Sequence, residues 1–151
     1  MDSMLWMTGN VGSEVDLREV RDGLVYASFR LASTPRVWRS GEWTDGATTW
    51  LAVNCSKALA EHVKTSVNKG DPVVVAGRLR TSRWPDAQGV IQERQYIDAV
   101  AVGHDLNRGT SVFRKSSRQA VEESEFSVGE FLASSESMAQ AESGDEKGTA
   151  A

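Results

Sequence analysis

TTWLAVNCSKALAEHVKTSVNKGDPVVVAGRLRTSRW (48–84) reads as a strand, a short helix and a long strand in one run. TTWLAVNC (48–55) is the first strand. In residues 57–69, Leu59, Val63 and Val67 recur every four positions and give a short helix one apolar stripe. Ser56 stands where an N-cap belongs, and Gly70 and Pro72 supply the stop. DPVVVAGRLRTSRW (71–84) is then a long strand. The turn PDAQG (85–89) sends the chain back along VIQERQYIDAVAVGH (90–104), so a long hairpin carries arginines on its first arm and near its tip.

Upstream, GLVYASFRLAS (23–33) alternates with period two. Val25, Ala27, Phe29 and Leu31 fall on one face, and Leu24, Tyr26, Ser28 and Arg30 on the other, as in a half-buried strand. MLWMTGNV (4–11) is strand-like and broken by Gly9 and Asn10. Glu14, Asp16, Glu19 and Asp22 read as solvated acids in a loop. RVWRSGEWTDGATTW, polar and holding Gly41 and Gly46, reads as a projecting hairpin. Three strands, one helix and two strands predict an all-β protein: a five-stranded OB-fold barrel with one short helix between strands 3 and 4, plus extended β-hairpins. Another small β-roll is the alternative. The domain spans 1–112, and 113–151 reads as a disordered acidic tail rich in Ser, Glu and Ala. Within it, EESEFSVGEFLASS (122–135) is either a short partner-binding helix or solvated chain.

The net charge of −4 hides an asymmetry. Residues 1–118 hold 16 Lys/Arg against 13 Asp/Glu, and 119–151 hold one lysine against eight acids, so a basic body (+3) precedes an acidic tail (−7). No apolar run approaches the roughly 20 residues of a membrane helix, and MDSMLWMTGNV, without a basic start and an apolar core, is not expected to act as a secretory signal. The single cysteine, Cys55, excludes an internal disulfide framework and fits a reducing cytoplasm. Two histidines and one cysteine give no metal-ligand spacing. No phosphate-cradling loop or GxSxG motif is present, so neither an enzyme nor a cofactor is expected. His62 lies on the predicted helix as a surface or hydrogen-bond-satisfied residue.

Five tryptophans stand beside only two tyrosines and four phenylalanines. Trp38 lies between Arg36 and Arg39 on the predicted arm, and Trp50 opens a strand. Trp84 follows Arg78, Arg80 and Arg83; at period two Arg78, Arg80 and Trp84 point to one side. Flat rings beside guanidinium groups suit unpaired nucleobases, which stack on aromatics while their phosphates bind cations. Trp6 reads as core or subunit contact, Trp43 stays open between roles, and Tyr26, Phe29 and Tyr96 are assigned to packing.

Over residues 4–112 the chain resembles the bacterial single-stranded DNA-binding protein family. The resemblance rests on MTGNVG, FRLASTPRVWRSGEWTDG, TTWLAV, NKGDPVVVAGRLRTSRWPDAQG and YIDAVAVG in order, and the STPR…GEWTDG arm is similar to actinobacterial members. It implies sequence-independent binding of single-stranded DNA in replication, repair or recombination, with stacking rings at Trp38, Trp50 and Trp84. Phosphate contacts fall to Arg36, Arg39, Arg78, Arg80 and Arg83. It further implies a homotetramer in the cytoplasm, associated with the nucleoid. Where the family carries a fourth ring this chain has Ser56. The chain finishes ESGDEKGTAA rather than in aspartates followed by Pro-Phe, so recruitment of partner enzymes through such a tip is doubtful, and a specialised copy serving chromosome segregation or transformation is implied. A primosome or protein-interaction factor and an RNA-binding OB module are the competing readings. Two-fold symmetry in such an oligomer would allow Cys55 to meet its mate in an inter-subunit disulfide.

Overall fold

Strand alternation and one helical stripe shape the protein, whose computed structural model describes residues 1–116. The strands are β1 (Met4–Val11), β2 (Asp16–Arg21), β3 (Leu24–Ser33), β4 (Arg36–Arg39), β5 (Glu42–Asp45) and β6 (Thr49–Ser56). After helix α1 (Lys57–Ser66) come β7 (Pro72–Pro85) and β8 (Ile91–His104). Residues Met1–Ser111 form one compact unit. The tail segment 122–135 lies outside the described residues.

Five of the strands close a ring. β1 pairs antiparallel with β7, β7 with β8, and β3 with β6, while β6 and β8 run parallel through Ala52–Tyr96, Val53–Ile97 and Asn54–Asp98. The ring closes where Asn10 and Val11 of β1 meet Ala32 and Leu31 of β3. This is the topology of the predicted OB-fold. β1 is not broken at Gly9 and Asn10, because ladders on both sides hold it there.

The alternation in β3 places Ala27, Phe29 and Leu31 in the core beside Val11, Val53, Cys55, Val73, Val75 and Ile97. α1 adds Ala60 and Val63 and covers part of this cluster. The helix is three residues shorter than predicted. Val67 is already extended (φ −112°, ψ 129°) although its N–H donates to the Val63 carbonyl at 2.9 Å. The chain beyond it has other partners: the Asn68 N–H donates to the Asp71 carboxylate at 3.0 Å, and the Gly70 N–H to the Val11 carbonyl at 2.7 Å. Ser56 occupies the N-cap position in extended geometry, but its side chain makes no capping hydrogen bond. The turn from β6 into α1 falls on Lys57, held at φ 56°, a sparsely populated conformation for a side-chain-bearing residue.

The acids expected in a loop belong in part to a strand. Asp16–Arg21 pairs with β3, and all six of its residues are exposed, so no apolar face betrayed it. The local signal was the Asp22–Gly23 dipeptide, whose φ angles of 48° and 75° fit a tight primed turn. Ser40–Gly41 (φ 52° and 83°) turns the arm hairpin β4–β5 in the same way.

Candidate nucleic-acid interface

The short strands of the arm bring its two tryptophans face to face in register. Trp38 is directly opposite Trp43, and their rings meet edge to face with centroids 5.5 Å apart at 67°. Trp43, open on sequence, thus joins Trp38, and both rings are exposed (59 % and 60 %). Arg36 is opposite Asp45, pairs with it at 3.5 Å and donates to the Trp43 carbonyl at 3.1 Å. Arg39 lies opposite Glu42. At the foot of the arm a groove of about 450 Å³ is lined by Arg36, Asp45 and Asn10 and adds Arg108, a cation sequence reasoning passed over.

Trp50 opens β6 on the outer face of the barrel and is 49 % exposed. Its ring needs Gly12 beneath it: a Cβ there would lie 2.5 Å from Cζ3 and 3.1 Å from Cη2. The Arg30 guanidinium sits over the ring, 5.3 Å from its centroid. Alternation put Arg30 on the outward side of its strand. Only the register, with Ala32 opposite Trp50 and Arg30 opposite Ala52, brings it to the indole.

Trp84, 40 % exposed, lies next to the end of β7 on the long hairpin, and its ring carries the Arg94 guanidinium at 5.9 Å. Arg94 is opposite Ser82, one same-face step from Trp84, so this is a diagonal cross-strand contact. The one irregularity in β7 lies at Ala76/Gly77. Alternation from Arg78 to Trp84 is therefore unbroken, and Arg78, Arg80 and Trp84 share a face while Arg83 points to the other. Asp86 holds the tip: its carboxylate accepts from the Gln88 and Val90 N–H groups at 2.9 Å each and from Gln92 Nε2 at 3.0 Å. Gln92 leads the hydrogen bonds that hold this carboxyl below its ordinary range.

The arginines are not bare cations. Asp2 bridges Arg78 at 3.3 Å and Arg80 at 3.1 Å, and Glu93 holds Arg83 at 2.8 Å. Exposed pairs of this kind contribute about 0.2–1 kcal/mol, so a phosphate can exchange for the carboxylate. The cations set against rings, Arg30 and Arg94, have no acid partner among the described residues.

One expectation narrows and two need correction. Trp6 is 73 % exposed on β1, which removes the core alternative and leaves subunit contact. Tyr26 is 40 % exposed rather than packed, because its position has the parity of Arg30 and not of Phe29. Cys55 is 1 % exposed inside the barrel, where a second copy's thiol has no path to it, so the inter-subunit disulfide is set aside. Burial, assisted by the nearby Asp98 charge, pushes its thiol up to about 11. Elsewhere the Asp71 carboxylate accepts from Asn68 N–H and from His104 Nε2 at 3.1 Å, and these bonds hold it below its ordinary range. His104 Nδ1 lies 2.9 Å from Ser111 Oγ, which fastens the segment after β8. Among the described residues no cluster of three metal-ligating side chains occurs, and no helix is long and apolar enough to cross a membrane.

The sequence profile of the Single-strand binding protein family matches residues 3–105. Single-stranded DNA-binding protein 2 of Streptomyces avermitilis is 44 % identical over 118 residues, 77 % of this chain and 73 % of that protein. Single-stranded DNA-binding protein 1 of Streptomyces coelicolor is 40 % identical over 119 residues, 78 % of this chain and 75 % of that protein. A crystal structure of a small single-stranded DNA-binding protein from Streptomyces coelicolor aligns with TM-score 0.65 and 38 % identity, over 72 % of this chain and 99 % of the other. The second single-stranded DNA-binding protein of Mycobacterium smegmatis aligns with TM-score 0.56 and 28 % identity, over 76 % and 100 %. A closed five-stranded ring with one helix between its third and fourth strands, exposed indoles beside arginines, and a profile match over the whole barrel place this chain in the single-strand binding protein family.

Proposed function

We propose that this protein binds single-stranded DNA without sequence preference and shields it, acting by contact and not by catalysis. The observation that carries the reading is the exposure of Trp38, Trp50 and Trp84 on one barrel and its two hairpins, the latter two with a guanidinium over the ring. Each base stacked on a ring contributes roughly 1–3 kcal/mol, whatever its identity, because every base has a π-face. Arg36, Arg39, Arg78, Arg80 and Arg83 take the phosphates, and Arg30 and Arg94 join them. The roles this serves are replication, repair and recombination, or those of a specialised copy, in the cytoplasm and on the nucleoid.

The functional unit is a homotetramer. Its support is the outer face of β1 and β7, where Met4 and Trp6 stand exposed beside Ala76. A large ring left in water on a flat strand pair is the kind of surface that a second copy covers. Binding is carried by residues 1–112, the span that holds all five tryptophans.

Titration of the intrinsic tryptophan emission with poly(dT), poly(U) and duplex DNA at two salt concentrations tests the reading. Deep quenching by poly(dT), weakening as salt rises, is expected. Absence of quenching by any single strand sinks it, and equal response to poly(U) moves the protein to RNA.

A further inference from the structure

We infer that Tyr26 is an additional base-stacking platform, placed on the same sheet face as Trp50 and Arg30. The inference rests on the single-stranded DNA reading and extends it by one ring. Tyr26 is 40 % exposed, as much as Trp84. Its neighbours in sequence, Ala27 and Phe29, are buried at 1–2 % exposure, so parity along β3 aims Tyr26 and Arg30 outward together. Register extends this face onto β6: Tyr26 is opposite Ser56, Ser28 opposite Asn54, Arg30 opposite Ala52, and Ala32 opposite Trp50.

Between the two rings the face is therefore floored by small side chains, with Arg30 drawn over the indole. The rise of a strand puts Tyr26 about 20 Å from the row of Trp50, a span of a few nucleotides. Arg30 is the one large side chain at these positions, and its guanidinium lies over the Trp50 ring. On its far side Arg18 of β2 lies directly opposite Tyr26, so a cation accompanies this ring as well; Arg18 is held by Asp16 at 2.7 Å and is exchangeable like the other paired arginines. An exposed ring, a cation beside it and small side chains leading to the Trp50 indole are the elements from which single-strand tracks are built.

The test uses the full chain with Tyr26→Leu, Tyr26→Phe and Tyr26→Trp, titrated with poly(dT) by tryptophan emission and weighed by light scattering. Loss of one stacked base predicts about a fivefold or greater weakening for Tyr26→Leu, with Tyr26→Phe within about twofold of wild type. The added indole of Tyr26→Trp should be quenched by poly(dT), which reads the site even if Tyr26→Leu lowers stability. Three results would overturn the assignment: full affinity in Tyr26→Leu, unquenched added emission in Tyr26→Trp, or a changed oligomer mass in Tyr26→Leu, which would make the ring a subunit contact. Failure of wild type to respond to poly(dT) strikes instead at the reading beneath it.

Discussion

Gly12 illustrates how much a single missing Cβ can decide. The Trp50 ring rests where that carbon would be, so Gly12→Ala must swing the indole off its seat and away from Arg30. We expect poly(dT) affinity to fall about fivefold or more, as for loss of one stacked base; unchanged titration curves would show the seat to be irrelevant. Cys55 sits at the same scale but acts on stability. Its thiol is raised from 9.0 to about 11, so the unfolded chain ionises first as pH rises. The contribution is intact below pH 9 and is lost as pH climbs from 9 toward 11, so denaturant midpoints should decline across that window in wild type. In Cys55→Ala the decline should shrink. A buried cysteine is the ordinary reading of a lone Cys55 on a strand, but nothing local says that Gly12 lies under Trp50 or that Asp98 stands near the thiol.

At the scale of elements, the long hairpin β7–β8 was legible from its apolar start, arginine spacing and Pro-Asp…Gly turn. Its stiffness depends on Asp86, whose carboxylate gathers three donors at the tip. Asp86→Ala should raise amide exchange at Gln88 and Val90 and weaken poly(dT) binding a few-fold through a looser Trp84. Exchange rates equal to wild type would refute this, and the midpoint for unfolding of the barrel should hardly move. β2 went unread for a physical reason. An edge strand with no buried face carries no periodic apolar signal, and only its Asp-Gly turn announced it. The helix was legible through its stripe, but its end was set by hydrogen bonds to Asp71 and Val11 that lie outside its own sequence.

For the whole molecule, charge and assembly are the open quantities. Asp2 occupies Arg78 and Arg80 before any phosphate does, so Asp2→Asn should tighten binding and steepen the slope of log affinity against log salt by up to about 0.7 for each arginine freed. An unaltered slope would mean that these arginines do not meet phosphate. If the proposed assembly covers the β1 face, Trp6→Glu should lower the mass seen by light scattering, since a charge buried there is strongly disfavoured; a mass equal to wild type would show that no subunit contact forms on this face. Sequence by itself determined the barrel, the position of its helix and the three strand or hairpin sites of Trp38, Trp50 and Trp84. It could do so because period-two burial and turn chemistry are local properties. Tertiary structure alone decided which cation meets which ring, that Trp43 joins Trp38, that the face of Tyr26 continues across Ser28 and Ala52 to Trp50, and that acids already hold five of the arginines. Those are cross-strand relations, and they exist only once the register that joins distant segments has been set.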